Sequence, residues 1–275
     1  MKSMSNLNFH QTFPPNLEYL SRLLEITDMT DDLTKEEISE ITGIPTGKSS
    51  GKVEPHVEYG IYMGLFENMS KQSGKYKLKR TKLGSIVKRE DIGLHEEVTQ
   101  LLFHIRITSP STGALLWSHI FRNILPRYSD GVSFLVLEDE LKKLPTFSSI
   151  KTINIGPFYT TYKKSFGAVK LLSKTKEKIK LIPQIFQNEL LYVYGYCLVY
   201  EWEQVFSGYS EITAEQLSSL RFSSAFGLSD SEAFYILEKL SEKRLILING
   251  QLSPFTIIKN VSSDAIVEKA YSLLC

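Results

Sequence analysis

The chain has 275 residues, of which 42% are hydrophobic, and its 32 lysines and arginines nearly balance its 31 aspartates and glutamates. These values predict an ordinary globular protein with one large core or two to three small ones, and they exclude a uniformly basic nucleic-acid coat. The longest apolar run, Leu190 to Tyr200, is too short to cross a bilayer, so we expect no membrane role.

The two cysteines, Cys197 and Cys275, form no CxxC pair and have no histidine cluster beside them, which argues against a disulfide framework and a zinc site. The N-terminal residues lack the apolar core of a signal peptide. Both observations predict a cytoplasmic protein.

The charges are segregated along the chain. Residues 71–90 contain eight basic side chains and one acid, and residues 163–180 contain seven lysines and one acid. Such local patches can bind phosphates even when the net charge is only +1.

The first elements read as helix, turn and helix. Helical spacing of leucines predicts a first helix over Asn16–Ile26, and a Thr34–Glu37 capping box predicts a short second helix through Ile41. Gly43 is suited to the left-handed position that ends this helix, and Pro45 prevents its continuation.

A third helix is predicted over Val53–Met63, with Ser49 or Ser50 as its cap. Lys52, His56 and Tyr59 are spaced i, i+4 and i+7 and share one face. We predict that this face reads DNA.

A basic hairpin follows, with Gly74 at its turn and strict alternation in Lys75–Lys79. The order helix, turn, helix, strand, hairpin is that of a winged helix-turn-helix. A lysine-rich edge that only prevents aggregation is the alternative interpretation. The candidate DNA-binding residues are Lys48, Ser49, Ser50, Lys52, His56, Tyr59, Lys75, Lys77, Lys79, Arg80 and Lys82.

The stretch from Gly43 to Ser49 also contains Gly-Lys-Ser, as a nucleotide-binding P-loop does. Only three residues separate its glycines where a P-loop has four, and the preceding segment is polar and helical. We therefore interpret these residues as a turn between two helices.

The middle of the chain is predicted to be helical from Leu94 to Leu125, with a break near residues 109–113. Trp117, Phe121 and Ile124 form a stripe that is typical of a core. His95, His104 and His119 have no carboxylate at ligand spacing, so a core or surface role is favoured over a metal site. Aromatics beside lysines in residues 152–182 are compatible with gripping single-stranded nucleic acid or with a small packed loop.

Glu138, Asp139 and Glu140 form the densest acidic cluster and are the only candidate catalytic residues, because a nuclease needs carboxylates to hold magnesium. The favoured interpretation is the acidic first turn of an exposed helix. No PD-(D/E)xK, HNH or histidine-rich hydrolase signature occurs.

The C-terminal third repeats the N-terminal plan. A helix over Leu190–Phe206 precedes capping boxes at Thr213 and Ser229 and an Asn249-Gly250 hairpin signal. Its second recognition-type helix mixes acids with bases, so we predict a protein-contact or homodimer module, with DNA binding as the alternative.

The predicted fold class is mainly α with small β wings. The predicted domains are an N-terminal winged helix-turn-helix (1–92), a helical middle region (93–185) and a second winged-helix-like module (186–275).

The string Ile41-Thr-Gly-Ile-Pro-Thr-Gly-Lys-Ser-Ser-Gly-Lys-Val-Glu-Pro55, with Phe9-His-Gln-Thr-Phe13 before it and Tyr59 and Met63-Gly-Leu65 after it, resembles a bacterial family first catalogued as a domain of unknown function. Its members lie in operons for DNA phosphorothioation, and the chain is similar to the B component of Ssp-type modification and antiviral defence systems. The resemblance is strongest over residues 9–90.

The resemblance implies a protein that helps to place sulfur in the DNA backbone, with partners that include an ATPase, a PAPS-reductase-like enzyme and a cysteine desulfurase. It also implies nicking of DNA, for which Mg²⁺ or Mn²⁺ would be the cofactor; the residues themselves indicate no cofactor. Two alternatives remain: a winged-helix transcriptional regulator and a non-catalytic scaffold of the modification complex.

Overall fold

The computed structural model describes residues 7–47, 51–250 and 254–274, so Lys48, Ser49 and Ser50 of the predicted site lie outside the described residues. The structure is mainly α-helical with small antiparallel sheets, which confirms the predicted fold class at that level.

The α-helical segments up to residue 107 are α1 (Leu17–Glu25), α2 (Lys35–Thr42), α3 (Val53–Tyr62), α4 (Lys82–Glu90) and α5 (Glu97–Ile107). Those that follow are α6 (Leu115–Ser118), α7 (Phe134–Lys142), α8 (Pro145–Ser148), α9 (Gly156–Thr160), α10 (Leu191–Val205), α11 (Ala214–Ser219), α12 (Asp230–Glu242) and α13 (Ser263–Val267). The described residues include the π-helical segments His119–Ile124 and Thr161–Ser165.

The strands are short: β1 (Leu33–Thr34), β2 (Phe66–Asn68), β3 (Lys75–Tyr76), β4 (Leu78–Arg80), β5 (Val132–Ser133), β6 (Leu172–Lys174), β7 (Lys178–Leu181), β8 (Glu211–Thr213), β9 (Ile246–Asn249) and β10 (Thr256–Lys259). In the part of the chain that the structure describes, these strands pair antiparallel in four sheets of order β1-β3, β2-β4, β5-β7-β6 and β8-β10-β9.

The chain divides into two compact units: unit 1 comprises residues 1–107 and 142–169, and unit 2 comprises residues 108–141 and 170–275. The region 93–185, predicted as a separate middle part, contributes to both units. Each unit contains the same order of a helix, a strand, two helices and two paired strands, with a further helix after them.

Local chemistry fixes the ends of the unit 1 helices. Thr34 and Glu37 form the predicted capping box at the start of α2, which satisfies backbone N–H groups that have no partner within the helix. Gly43 ends α2 in the left-handed conformation with φ of 69°, as predicted, because glycine has no Cβ to oppose it. Thr81 caps α4 by accepting a hydrogen bond from the Gly84 N–H.

Unit 2 is built around α10, which matches the predicted helix within one residue at each end. The predicted capping boxes at Thr213 and Ser229 are present. Asn249 pairs with Thr256 across β9 and β10, so the connection is longer than the two-residue Asn-Gly turn that the sequence indicates. Trp117, Phe121 and Ile124 are buried, which confirms their predicted core role.

Across the described parts of the chain, no helix combines the length and apolar character that crossing a membrane requires.

Candidate nucleic-acid interface

The basic hairpin of unit 1 forms from β2, β3 and β4. Phe66 pairs with Arg80, Glu67 with Lys79 and Asn68 with Leu78. Strand β3 pairs instead with β1. The hairpin is therefore fixed by two strand pairs, β2 with β4 and β3 with β1. Gly74 adopts φ of 74° at its tip, which is the turn role predicted from the sequence.

The alternation along the hairpin sorts its side chains. Leu78 is buried and Lys77 and Lys79 on either side of it are exposed, whereas Lys75 and Tyr76 are half-buried. Side chains two apart in a strand lie on one face, so Lys77 and Lys79 point to solvent together. Among the described residues, no carboxylate lies within ion-pair distance of Lys77.

Arg80 is held differently from the lysines beside it. Its guanidinium forms an ion pair with Asp28, and the Lys88 ammonium lies 3.0 Å from the same carboxylate. The hydrogen bond from Lys88 and the charge of Arg80 lower the pKa of Asp28. A phosphate would therefore have to compete with Asp28 for Arg80. Lys82, at the start of α4, is exposed to solvent.

The third helix, α3, lies where it was predicted but faces another way. His56 is 1% exposed and Tyr59 is 0% exposed, so the prediction that these two share an exposed face with Lys52 is wrong. Spacing identifies a shared face but does not reveal whether that face meets solvent or core. Here it packs against the segment before α1.

Hydrogen bonds fix both buried side chains. The backbone N–H of Asn16 donates to Nε2 of His56 at 3.0 Å, and Nδ1 of His56 lies 2.7 Å from the Lys52 carbonyl, to which it donates. Burial lowers the pKa of His56 to about 4, so the ring is neutral at pH 7. The Tyr59 hydroxyl donates to the Phe13 carbonyl at 2.9 Å, and the Phe9 ring packs edge-on against Tyr59. Residues that carry the family resemblance therefore build the core of unit 1.

On the outer side of α3, Glu54 is exposed, while Glu58 and Ile61 are half-buried. Glu54 lies 3.8 Å from the Lys35 ammonium, and burial together with the Glu54 and Glu58 carboxylates raises the pKa of Tyr76 to about 12. An acidic stripe repels DNA phosphates, so the exposed face of α3 does not favour insertion into a groove.

Lys52 precedes α3, and its ammonium lies 5.7 Å from the centre of the Phe13 ring and 5.8 Å from that of Tyr19. Lys52 and His56 also line a cavity of about 620 Å³ within unit 1, the unit 1 cleft. The cleft is lined by residues 13–19, by Lys52 and His56, by His95 and Gln100, and by Lys164, Ser165, Gly167 and Ala168. Sequence reasoning missed it because its parts are far apart in the chain.

The sequence predicts that the acidic cluster forms the first turn of a helix. The structure instead places the cluster further along α7, so this prediction is wrong. The Ser133 hydroxyl accepts a hydrogen bond from the Val136 N–H, so the helix starts at apolar residues before the acids. Glu140 forms an ion pair with Arg127 at 2.5 Å, and Asp139 is exposed. Neighbouring residues on a helix point in different directions, so Glu138, Asp139 and Glu140 do not converge.

No group of three or more histidine, cysteine, aspartate or glutamate side chains is placed to hold a metal ion within the described residues. His104 is buried and its Nδ1 lies 2.7 Å from the Tyr162 hydroxyl, while Nδ1 of His119 contacts the Asn123 amide at 3.0 Å. Within the described residues, the acidic cluster that the sequence singles out is therefore not assembled with histidines or further acids into a metal site.

Fold and surface together define a mainly α protein with small antiparallel sheets and an exposed lysine-rich hairpin. Two solved structures share this fold. The magnesium ion-bound crystal structure of SspB superposes with a TM-score of 0.71 and 12% identity, over 97% of this chain and 86% of that one. A second SspB crystal structure gives a TM-score of 0.69 with the same identity and coverage.

No family model matches the chain, and no curated protein matches it. The similarity to SspB that the sequence predicts is confirmed at the level of the fold.

Proposed function

We propose that the chain is the DNA-binding component of a bacterial DNA phosphorothioate modification and defence system. It engages duplex DNA through the N-terminal module of unit 1, which acts as a winged helix. The observation that carries this proposal is the exposed lysine row of the hairpin, on a fold similar to that of SspB.

The element order supports a winged helix. Strand β1 lies between α1 and α2, and β2 and β4 pair after α3, which leaves the loop of the hairpin as the wing. Wings of this kind rest on the DNA backbone. Lys71, Lys77 and Lys79 at this edge are exposed and supply the positive charge that phosphates require.

The acidic stripe on α3 bears on the alternative functions. A transcriptional regulator reads base edges through side chains that reach into the major groove. On α3, Glu54 is exposed and Glu58 is half-buried, whereas His56 and Tyr59 are buried. Backbone contact by the wing, with little sequence reading, therefore agrees better with these positions than regulation does.

Nicking is a separate hypothesis that rests on the sequence resemblance alone. Supercoiled plasmid incubated with the protein, with and without Mg²⁺ or Mn²⁺, separates the two activities. Relaxed circles that require metal and that a point mutation abolishes would add nicking to DNA binding. Binding without relaxed circles would leave the chemistry to partner proteins such as the ATPase, the PAPS-reductase-like enzyme or the cysteine desulfurase.

Replacement of Lys75, Lys77 and Lys79 by alanine is expected to weaken duplex DNA binding and to reduce its salt dependence. Each phosphate contact contributes a slope of about 0.9 to the plot of log affinity against log salt, so the slope should fall by at most about three. Fluorescence anisotropy of a labelled duplex at several salt concentrations measures both quantities.

A charge-matched control replaces the exposed residues Lys151, Lys243 and Lys269 by alanine, which are outside the hairpin. This variant should retain most of the wild-type slope. An unchanged slope in the hairpin variant, or an equal loss in both variants, would remove the wing from the interface.

Unit 2 has exposed apolar side chains, which bear on the scaffold alternative. Phe234 and Tyr235 of α12 are 41% and 44% exposed, and Leu247 of β9 is 50% exposed. The Phe234 ring packs against Phe255 and the Tyr235 ring against Phe186. Apolar side chains that are exposed singly are ordinary on protein surfaces, so they do not favour the scaffold role over DNA binding.

A further inference from the structure

The unit 1 cleft is lined by positive charges that are largely not neutralised by neighbouring carboxylates. Lys52 and Lys164 both line it, and within the described residues neither has a carboxylate within ion-pair distance. The lining includes one acid, Glu18, whose carboxylate is already 2.5 Å from the Arg22 guanidinium. The cleft therefore favours an anion.

The walls are apolar and aromatic next to this charge. Phe13, Pro14 and Tyr19 contribute side chains to the lining, and the Lys52 ammonium lies near both aromatic rings. Aromatic rings beside a cation are the arrangement in which proteins stack a nucleobase and hold its phosphate. A ligand with a flat ring and an anionic group fits both features.

Hydrogen bonds hold the cleft in shape. The Ser165 hydroxyl donates to the Pro15 carbonyl at 2.5 Å, and the Asn16 N–H donates to His56. Gln100 accepts from the Ala168 N–H at 2.9 Å through its amide oxygen and donates through its amide nitrogen to the Leu94 carbonyl at 3.2 Å. These bonds join all four lining segments, so a ligand would meet a preformed cleft and lose less free energy in ordering it.

Two further features agree with a binding role. Lys164 lies in the π-helical segment Thr161–Ser165, and such segments are frequent at functional sites. The volume of about 620 Å³ is within the range of small-molecule sites and accommodates one nucleotide.

We propose that the unit 1 cleft binds a single nucleotide, with its phosphate at Lys52 and Lys164 and its base against Phe13 and Tyr19. The choice of a DNA nucleotide rests on the proposed function. The nucleotide is either free in solution or one unit of a DNA strand, and both share the same recognition chemistry. The wing and the cleft are then two different contacts, one for the duplex backbone and one for an individual nucleotide.

The test uses the full-length protein and two probes, deoxyadenosine monophosphate by isothermal titration and a labelled single-stranded oligonucleotide by anisotropy. Lys52→Ala and Lys164→Ala should each weaken binding about tenfold, because a charge-assisted hydrogen bond to phosphate is lost. Deoxyadenosine without a phosphate should bind at least about tenfold more weakly than the nucleotide. Lys163→Ala is the matched control, because Lys163 is an exposed neighbour on the same π-helical segment that does not line the cleft.

Each outcome decides the proposal. Lysine-dependent binding of the free nucleotide supports it with a free ligand, and lysine-dependent binding of the oligonucleotide alone supports it with a strand as the source. Binding of neither probe, or equal effects of Lys163→Ala and Lys164→Ala, overturns it. Failure of the proposed function is distinguishable from failure of this inference. In that case the hairpin lysines would not affect duplex binding, while Lys52→Ala and Lys164→Ala would still weaken nucleotide binding.

Discussion

Replacement of Glu201 by alanine is expected to lower the free energy of unfolding of unit 2 by about 3–5 kcal/mol. The side chains of Arg122 and Glu201 are 0% and 1% exposed, and Nη2 of Arg122 lies 3.6 Å from Oε1 of Glu201. Removal of one partner leaves the other charge buried without compensation, which costs more than the pair contributes when intact.

The surrounding hydrogen bonds increase the cost. Arg122 donates through Nε to the Thr108 hydroxyl at 3.1 Å and through Nη1 to the Arg221 carbonyl at 2.9 Å. Oε2 of Glu201 accepts from the Ser109 hydroxyl at 3.0 Å and from the Ser111 hydroxyl at 3.2 Å. Alanine at position 201 removes the acceptor of the buried Ser109 hydroxyl, and such a loss is destabilising.

Urea unfolding followed by tryptophan fluorescence measures this effect, because both tryptophans of the chain, Trp117 and Trp202, belong to unit 2. Glu242→Ala is the control, since Glu242 forms an exposed ion pair with Lys239 and such pairs contribute about 0–1 kcal/mol. A loss below about 1 kcal/mol for Glu201→Ala would contradict the structural role of the buried pair.

Acidification is expected to destabilise unit 1 between pH 6.5 and about pH 4. Burial lowers the pKa of His56 to about 4, and the nearby Lys52 charge acts in the same direction; burial also lowers the pKa of His10 to about 4. The unfolded chain takes up protons near pH 6.5 while the folded one resists them, so this stability is complete above pH 6.5 and is lost as the pH falls toward 4. The difference between the pKa values of the folded and unfolded chain corresponds to about 3 kcal/mol of unfolding free energy for each histidine. About 2 kcal/mol of this stabilisation is lost by pH 5.

Hydrogen exchange of peptides that cover α1 and α3, corrected for intrinsic rates, measures this loss between pH 7 and pH 5. His56→Gln should reduce the pH dependence by about 2 kcal/mol, because glutamine does not titrate. Equal pH dependence in the wild type and His56→Gln would refute a neutral, buried His56.

Helix ends were the part of the fold that sequence reasoning predicted best. The capping boxes at Thr34, Thr213 and Ser229 and the left-handed Gly43 depend on residues within a few positions of each other. Such local hydrogen bonds form wherever the rest of the chain allows a helix. The acids of α7 were misplaced because Ser133, a cap that precedes four apolar residues, was not recognised.

Burial and assembled sites depend on distant residues, and here sequence reasoning was weaker. His56 and Tyr59 are buried because Phe9, Phe13 and Asn16 pack over them, which the spacing within α3 cannot reveal. The unit 1 cleft likewise brings together Lys52 and Lys164, which are far apart in the sequence. The basic hairpin could be predicted because alternation along one strand contains the whole pattern.

We expect this chain to bind DNA through electrostatic contacts of its N-terminal module. The most direct measurement is the affinity of the wild-type protein for duplex DNA, titrated from about 50 to 200 mM salt. We expect binding at the lower salt concentration and a linear fall of log affinity with log salt, with a slope that reports several phosphate contacts. No binding at about 50 mM salt, or binding that does not change with salt, would contradict it.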